Sequence, residues 1–217
     1  MTAFVVAIDG PAGSGKGTLA AALARRFGLA HLDTGRIYRA TAALVLHEGG
    51  DPADPETAAS AARRFAFSRI GDPGLRDEAV GRASSVIAAI PAVRAALLER
   101  QRSFAAHPPA PAKGAVLDGR DIGTVVCPDA AVKLYITASA AERARRRAKE
   151  LRESGADAIY SAVLKDIEER DARDSGRRVA PLAAAPDAIE IDTTGLDPDA
   201  VLELASQHVT RALAARP

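Results

Sequence analysis

A single cysteine, no asparagine and only five lysines among 29 basic residues mark this 217-residue chain by what it has little of. One thiol cannot close an internal disulfide, and no Cys/His cluster has the spacing of a zinc site. Set between Val126 and Pro128, Cys127 reads as a small buried apolar side chain. Surplus charge of one sign is also missing: 29 Lys plus Arg face 28 Asp plus Glu, a formal balance of +1. Nonspecific nucleic-acid affinity comes mainly from surplus basic charge, so a duplex-coating protein is excluded and no nucleic-acid partner is expected. Long apolar runs are absent as well. The N-terminal run, residues 4–8, ends at Asp9 with no cation before it, and is neither a signal peptide nor a membrane span. A reducing, cytoplasmic location without a membrane partner is the expectation.

What is present fits an ordinary globular chain, with 47% hydrophobic and 26% charged residues. The length allows one large domain, or one core with small insertions. Residues 4–8 form a continuous, β-branched run next to a glycine-rich stretch, as a strand buried on both faces does. From Thr18 the period changes: Leu19, Leu23 and Phe27 recur every four residues until Gly28, a helix C-cap. Further short strands are expected at residues 29–32, 115–117, 132–136 and 188–191, with helices near 37–48, 139–153 and 198–214. Strands alternating with helices predict an α/β fold, a doubly wound sheet of five parallel strands.

Residues 50–112 do not follow that rhythm. They carry helical patterns and no buried strand, with Val86, Ile90, Val93 and Leu97 on one helical face, and end in a proline-rich linker at residues 107–114. This predicts a helical insertion. A second, charged insertion is expected around residues 154–178, where Arg170, Arg173 and Arg177 have helical spacing. The expected organisation is a single domain, with a core of about residues 1–36, 113–150 and 180–217, an insertion of about 37–112 and a short lid of about 151–179.

The segment DGPAGSGKGT, from Asp9 to Thr18, satisfies G-x-x-x-x-G-K between a predicted strand and a predicted helix. Glycines let backbone N–H groups turn inward around phosphate oxygens, and the helix N-terminus adds its positive dipole end. Gly10, Pro11, Ala12, Gly13, Ser14, Gly15, Lys16, Gly17 and Thr18 are therefore the candidate nucleotide-binding residues. Lys16 is expected to reach the β and γ phosphates. Gly17 stands where the general motif has Ser or Thr, so the hydroxyl for magnesium falls to Thr18. This variant resembles the loop of nucleoside monophosphate kinases more than that of GTPases. Without asparagine the chain cannot supply a protein kinase's second magnesium ligand, nor the Asn-Lys-x-Asp that reads guanine in GTPases.

Three more motifs narrow the reading: LDTGRIYR from Leu32, LDGRDIGTVVCPDA from Leu117 and RDARDSGRRVAPL from Arg170. With the phosphate loop they resemble the cytidylate kinase family over residues 5 to about 195. The resemblance implies transfer of the γ-phosphoryl group of ATP to CMP or dCMP. It gives Arg39, Arg120 and Arg177 contacts with the acceptor phosphate, with Thr34 nearby. Ser85, Arg94 and Asp121 match positions that read the cytosine edge, and Asp174 matches one that accepts from the ribose hydroxyls. Arg170, on the lid, would approach the transferring phosphoryl group, making Lys16, Arg120, Arg170 and Arg177 the candidate catalytic residues. Arg146 is the candidate to cover the adenine of ATP. Asp118 follows a buried strand and is, with Thr18, the candidate for holding Mg2+.

Each assignment has a plainer alternative. Arg120 between Asp118 and Asp121, and Arg170 and Arg177 around Asp171 and Asp174, could be structural ion pairs. Ser85 could pack a helix, Arg94 could be a surface charge, Asp118 a turn residue, and Arg145, Arg146 and Arg147 a solvated face. His31, His47, His107 and His208 lie outside every motif and read as structural or solvated. Arg36 departs from the TG-x-x-YR pattern, where the residue is usually small, and is expected to point to solvent or to add a phosphate contact. The segment 65–81 is shorter than in many relatives. The expected partners are CMP or dCMP and ATP with Mg2+, acting on a monomer. Another small-molecule kinase, for UMP or a coenzyme precursor, and a non-catalytic nucleotide switch remain as alternatives.

Overall fold

The computed structural model describes residues 3–153, 155 and 157–216. Five parallel strands form one sheet: β1 (Phe4–Asp9), β2 (Ala30–Asp33), β3 (Gly114–Gly119), β4 (Val132–Thr137) and β5 (Ile189–Asp192), in the order β2-β3-β1-β4-β5. The doubly wound reading holds, and all five strands lie within two residues of their expected ends. The central strand carries the longest apolar run because both of its faces are covered. Phe4, Val6 and Ile8 face α1 (Lys16–Phe27) and α8 (Pro198–Ala214), burying Leu19, Leu23, Val201 and Val209. Ala7 lies on the opposite face, against the helices of the long insertion.

That insertion is helical, as expected. It comprises α2 (Thr34–His47), α3 (Pro55–Arg64), α4 (Glu78–Ile87) and α5 (Pro91–Ala106), with 3-10 turns at Phe67–Gly71 and Pro73–Arg76. Three of the four starts are set by an aspartate cap: Asp33 accepts from Arg36 N, Asp54 from Thr57 N and Asp77 from Ala79 N. One helical face through Val86, Ile90, Val93 and Leu97 does not exist. Proline at 91 forces Ile90 into an extended conformation, and α4 and α5 meet at 99°. Ile87, Val93 and Leu97 are fully buried, whereas Val86 is 37% exposed.

The second insertion carries α7 (Tyr160–Ser175), which folds back on the preceding core helix α6 (Ala140–Glu153) with a small core of Ala144, Ala148, Val163 and Ile167. The helix ends before Arg177, so the 170, 173, 177 spacing is helical only as far as Arg173. Cys127 is half-buried against the insertion core, and its apolar surroundings push the thiol up to about 11. Among the described residues no single helix is long and apolar enough to cross a membrane.

Candidate active site

The phosphate loop turns at the C-terminal end of β1, where an open α/β sheet binds ligands. Its first turn needs glycine: Gly10 has φ +149°, and a Cβ there would stand 2.0 Å from the Ile136 carbonyl oxygen. Three of the loop's carbonyls are held by side chains. Lys16 Nζ donates to Pro11 O at 3.0 Å, Arg143 Nη1 to Ala12 O at 3.1 Å and Thr193 Oγ1 to Ser14 O at 3.3 Å. Lys16 is buried, and burial together with the charge of Arg120 pushes its ammonium down to about 7. Thr18 is exposed in the first turn of α1.

Asp118 ends β3 beside Asp33 of β2, its register partner, and is 4% exposed. His31 Nε2 lies 2.7 Å from Asp118 Oδ1, which leaves Oδ2 toward the phosphate loop, 3.6 Å from where a Gly17 Cβ would be. His31 was not legible as part of any motif. It stands two residues before Asp33 in β2, beside the strand carrying Asp118, and only the pairing of β2 with β3 joins them. Thr34 Oγ1 donates to Asp118 O at 2.7 Å, tying α2 to the same strand end.

Directly after β3, Arg120 and Asp121 lead into a π-turn at Ile122–Val126. Asp9 holds this turn: its two oxygens accept from Ile122 N and Gly123 N, both at 2.7 Å. Burial outweighs those bonds and raises the Asp9 carboxyl to about 6. Asp121 pairs with Arg94, whose guanidinium lies 5.7 Å from the Tyr38 ring centre and donates to Ala88 O at 3.3 Å. Arg94 is 8% exposed, so it is not a surface charge.

The lid helix supplies the opposite wall. Asp174, 1% exposed, accepts from Arg120 Nε at 2.8 Å and from Arg177 Nη2, and lies 4.0 Å from Arg170 Nε. These arginines hold its carboxyl below the usual range. The ion pairs expected as alternatives therefore exist, but the shared carboxylate is Asp174 rather than Asp118 or Asp121. The Nε atoms of Arg170 and Arg177 are buried without a hydrogen-bond partner among the described residues. Burial and neighbouring cations, Arg120 first among them for Arg170, lower both guanidinium pKa values.

Two connected spaces lie between these walls. An inner one of about 50 Å³ is lined by Thr34, Ser85, Arg94, Arg120, Asp121, Arg170, Asp174 and Arg177. An outer cleft of about 420 Å³ reaches from Ala12 and Gly13 past Arg39 and Arg170 to α4. All the expected acceptor-site residues except Arg39 thus line one space, and Arg39 lines the other, donating to Leu75 O at 2.7 Å. Ser85 Oγ accepts from Arg173 Nε of the lid at 3.3 Å, so it does more than pack a helix. Arg146, Asp118 and every expected phosphate-loop residue except Ala12 and Gly13, Lys16 among them, stand outside both linings. Arg145 is exposed and pairs with Glu142, but Arg146 turns inward to Thr193 Oγ1 at 3.0 Å and Thr193 O at 2.6 Å, so the three-arginine run is not simply a solvated face. Arg36 is partly exposed, and its Nη1 donates to Ile70 O at 3.1 Å, pinning the short turn of the insertion onto α2.

A magnesium ion accompanying ATP fits these residues. Among the described residues no three His, Cys, Asp or Glu side chains form a metal cluster, so such an ion would depend on phosphate oxygens for most of its ligands. Asp118 has one oxygen committed to His31 and the other facing the loop, and Thr18 is exposed in the first turn of α1.

Comparison with known proteins shows the family of the chain. The family model described as cytidylate kinase matches residues 6–211. A protein from Rhodospirillum rubrum named cytidylate kinase is 54% identical over 202 residues, 93% of this chain and 95% of that protein. Another of that name from Methylocella silvestris is 56% identical over 202 residues, covering 93% and 92%. A crystal structure of an uncharacterised protein from Eubacterium ventriosum has a TM-score of 0.55 at 12% identity, covering 96% of this chain and 98% of that one, a likeness of fold alone.

Proposed function

Because the chain belongs to the cytidylate kinase family, a family of ATP-dependent phosphotransferases acting on CMP, we propose that its two connected spaces divide that reaction between them. The phosphate loop holds ATP, and the inner space between the insertion and the lid holds the acceptor, CMP or dCMP. The observation that carries this reading is the crowding of cations at the junction. Arg120, Arg170 and Arg177 line the inner space and the charges of Arg120 and Arg170 reach Lys16 in the loop; Lys16, Arg170 and Arg177 all have their charged forms disfavoured by burial, with Arg120 adding to the penalty. Two polyanions relieve that penalty, and they are what a nucleoside monophosphate kinase brings together.

The acceptor oxygen needs no general base, because a phosphate monoester's second pKa is about 6 and the oxygen is already ionised near neutral pH. The task left to the protein is alignment and neutralisation. Lys16 meets the β and γ phosphates, Arg39, Arg120 and Arg177 orient the acceptor phosphate, and Arg170 meets the charge on the group in flight. Asp118 and Thr18 would hold the magnesium that accompanies ATP, which would supply positive charge to the phosphates. Arg146 and Thr193, packed behind Ser14, flank the place for adenine.

Base reading follows from donor and acceptor type. Asp121 offers a carboxylate to the 4-amino group of cytosine, and Arg94 donates to its acceptors. Uracil puts a carbonyl where the amino group was, facing a carboxylate. Asp174 takes the ribose hydroxyls. Removal of the Lys16 ammonium tests the assignment of the loop. Lys16→Ala should fold, since its main contact is one carbonyl, and lose CMP-dependent ADP formation; turnover within about tenfold of the parent would overturn the assignment.

A further inference from the structure

One buried cation outside the residues assigned so far touches both walls of the cleft. Arg143 sits in the first turn of α6 and is 4% exposed. Its Nε donates to Ala138 O at 2.9 Å and its Nη1 to Ala12 O at 3.1 Å. The same fork grips both oxygens of Asp171 on the lid helix, at 3.1 and 2.6 Å. A bidentate pair fixes orientation as well as distance, and a buried guanidinium with four directed bonds has little freedom to turn.

Each end of this link controls a group that matters. In a trans peptide the carbonyl oxygen and the following N–H point in opposite directions. Drawing Ala12 O outward therefore turns the N–H of Gly13 toward the concave side of the loop, and Gly13 supplies the positive φ, +76°, that the turn requires. At the other end, Asp171 lies between Arg170 and Asp174 on α7. Gripping its carboxylate fixes both the roll of the helix and its height above the loop, and with them the approach of Arg170.

We propose that Arg143 is a positioning residue that couples the phosphate loop to the lid, aiming the Gly13 N–H through Ala12 and setting Arg170 over the transferring phosphoryl group through Asp171. This rests on the function proposed above. The two ends are separable by mutation. Asp171→Asn leaves the Ala12 bond in place and weakens the lid end only. Arg143→Lys removes the fork and weakens both.

The test uses the full chain, with ADP affinity measured by calorimetry in the absence of acceptor, and kcat and KM measured with ATP and CMP. Asp171→Asn is expected to keep ADP affinity within about twofold while kcat falls about tenfold or more, the scale on which small misplacements of a catalytic group act. Arg143→Lys is expected to weaken ADP about tenfold and to lower kcat as well. The double variant should be no slower than Arg143→Lys alone, because both act through one link. An unchanged kcat in folded Asp171→Asn, or single effects on kcat that simply multiply, would overturn the proposal. If Arg143→Lys does not fold, the split between affinity and kcat in Asp171→Asn decides alone. Wild-type protein without CMP-stimulated turnover would instead defeat the functional reading, and the ADP arm would still test the phosphate-loop end of the link.

Discussion

Arg120 Nε donates to Asp174 Oδ2 across 2.8 Å, joining the end of β3 to a lid helix 54 residues later. Asp174 also takes Arg177 and draws Arg170 to 4.0 Å. On the proposed reading the carboxylate holds these arginines until the acceptor phosphate takes them over. The inner space of about 50 Å³ is far below the several hundred Å³ of a nucleotide pocket, so on that reading CMP would enter by exchanging these pairs rather than by filling a gap.

Asp174→Ala therefore leaves three cations facing one another in a buried place. Breaking a buried pair on one side costs about 3–5 kcal/mol, and the melting temperature should drop accordingly. Inorganic sulfate should then stabilise the variant more than it stabilises the parent, because the arginines are free to bind it. Thermal melts with and without sulfate check both points; equal stabilisation would show that the arginines do not await an anion.

Asp9 gives a pH dependence of known sign. Its folded carboxyl titrates near 6 rather than 3.8, so the folded chain binds the proton more tightly than the unfolded one. The stability it contributes is complete below pH 3.8 and is lost as pH rises through 6, a swing of about 3 kcal/mol. In Asp9→Asn that component is absent. Urea unfolding at both ends of this window should show a change between the two pH values that differs from the parent's by about that amount; matching changes would contradict the burial argument.

Arg36 is assigned to architecture. Arg36→Ala removes the bond to Ile70 O and a part-exposed ion pair with Asp33 at 3.8 Å, and should cost about 1 kcal/mol of unfolding free energy, leaving the KM for CMP within about twofold. A large rise in that KM would return Arg36 to the acceptor site.

Local pattern made the frame legible. A buried apolar run followed by glycines and a lysine fixes β1, the loop and α1, and every expected acceptor residue except Arg39 lines the inner space. Reading periodicity across Pro91 produced the one helical face that does not exist, since proline at a first helical position outweighs apolar spacing. The contacts that hold the site together were out of reach for a different reason. His31 with Asp118, Asp9 with the turn at Ile122, and Arg143 with Asp171 are separated by 87, 113 and 28 residues. Nothing in local spacing joins them; strand order and the return of the lid do. Arg120 illustrates the same limit, because its nearest carboxylates in sequence are not the one it binds.

The most direct test is ADP formation by the wild-type chain with ATP and magnesium, comparing CMP, dCMP, UMP and AMP as acceptors against no acceptor. The Arg94–Asp121 pair predicts that CMP and dCMP raise the rate at least about a hundredfold over the acceptor-free rate, with UMP and AMP far behind, because a site built to hydrogen-bond one base edge leaves its buried groups unpaired with another. Turnover that is not stimulated by any monophosphate, or that is stimulated best by UMP or AMP, would contradict it.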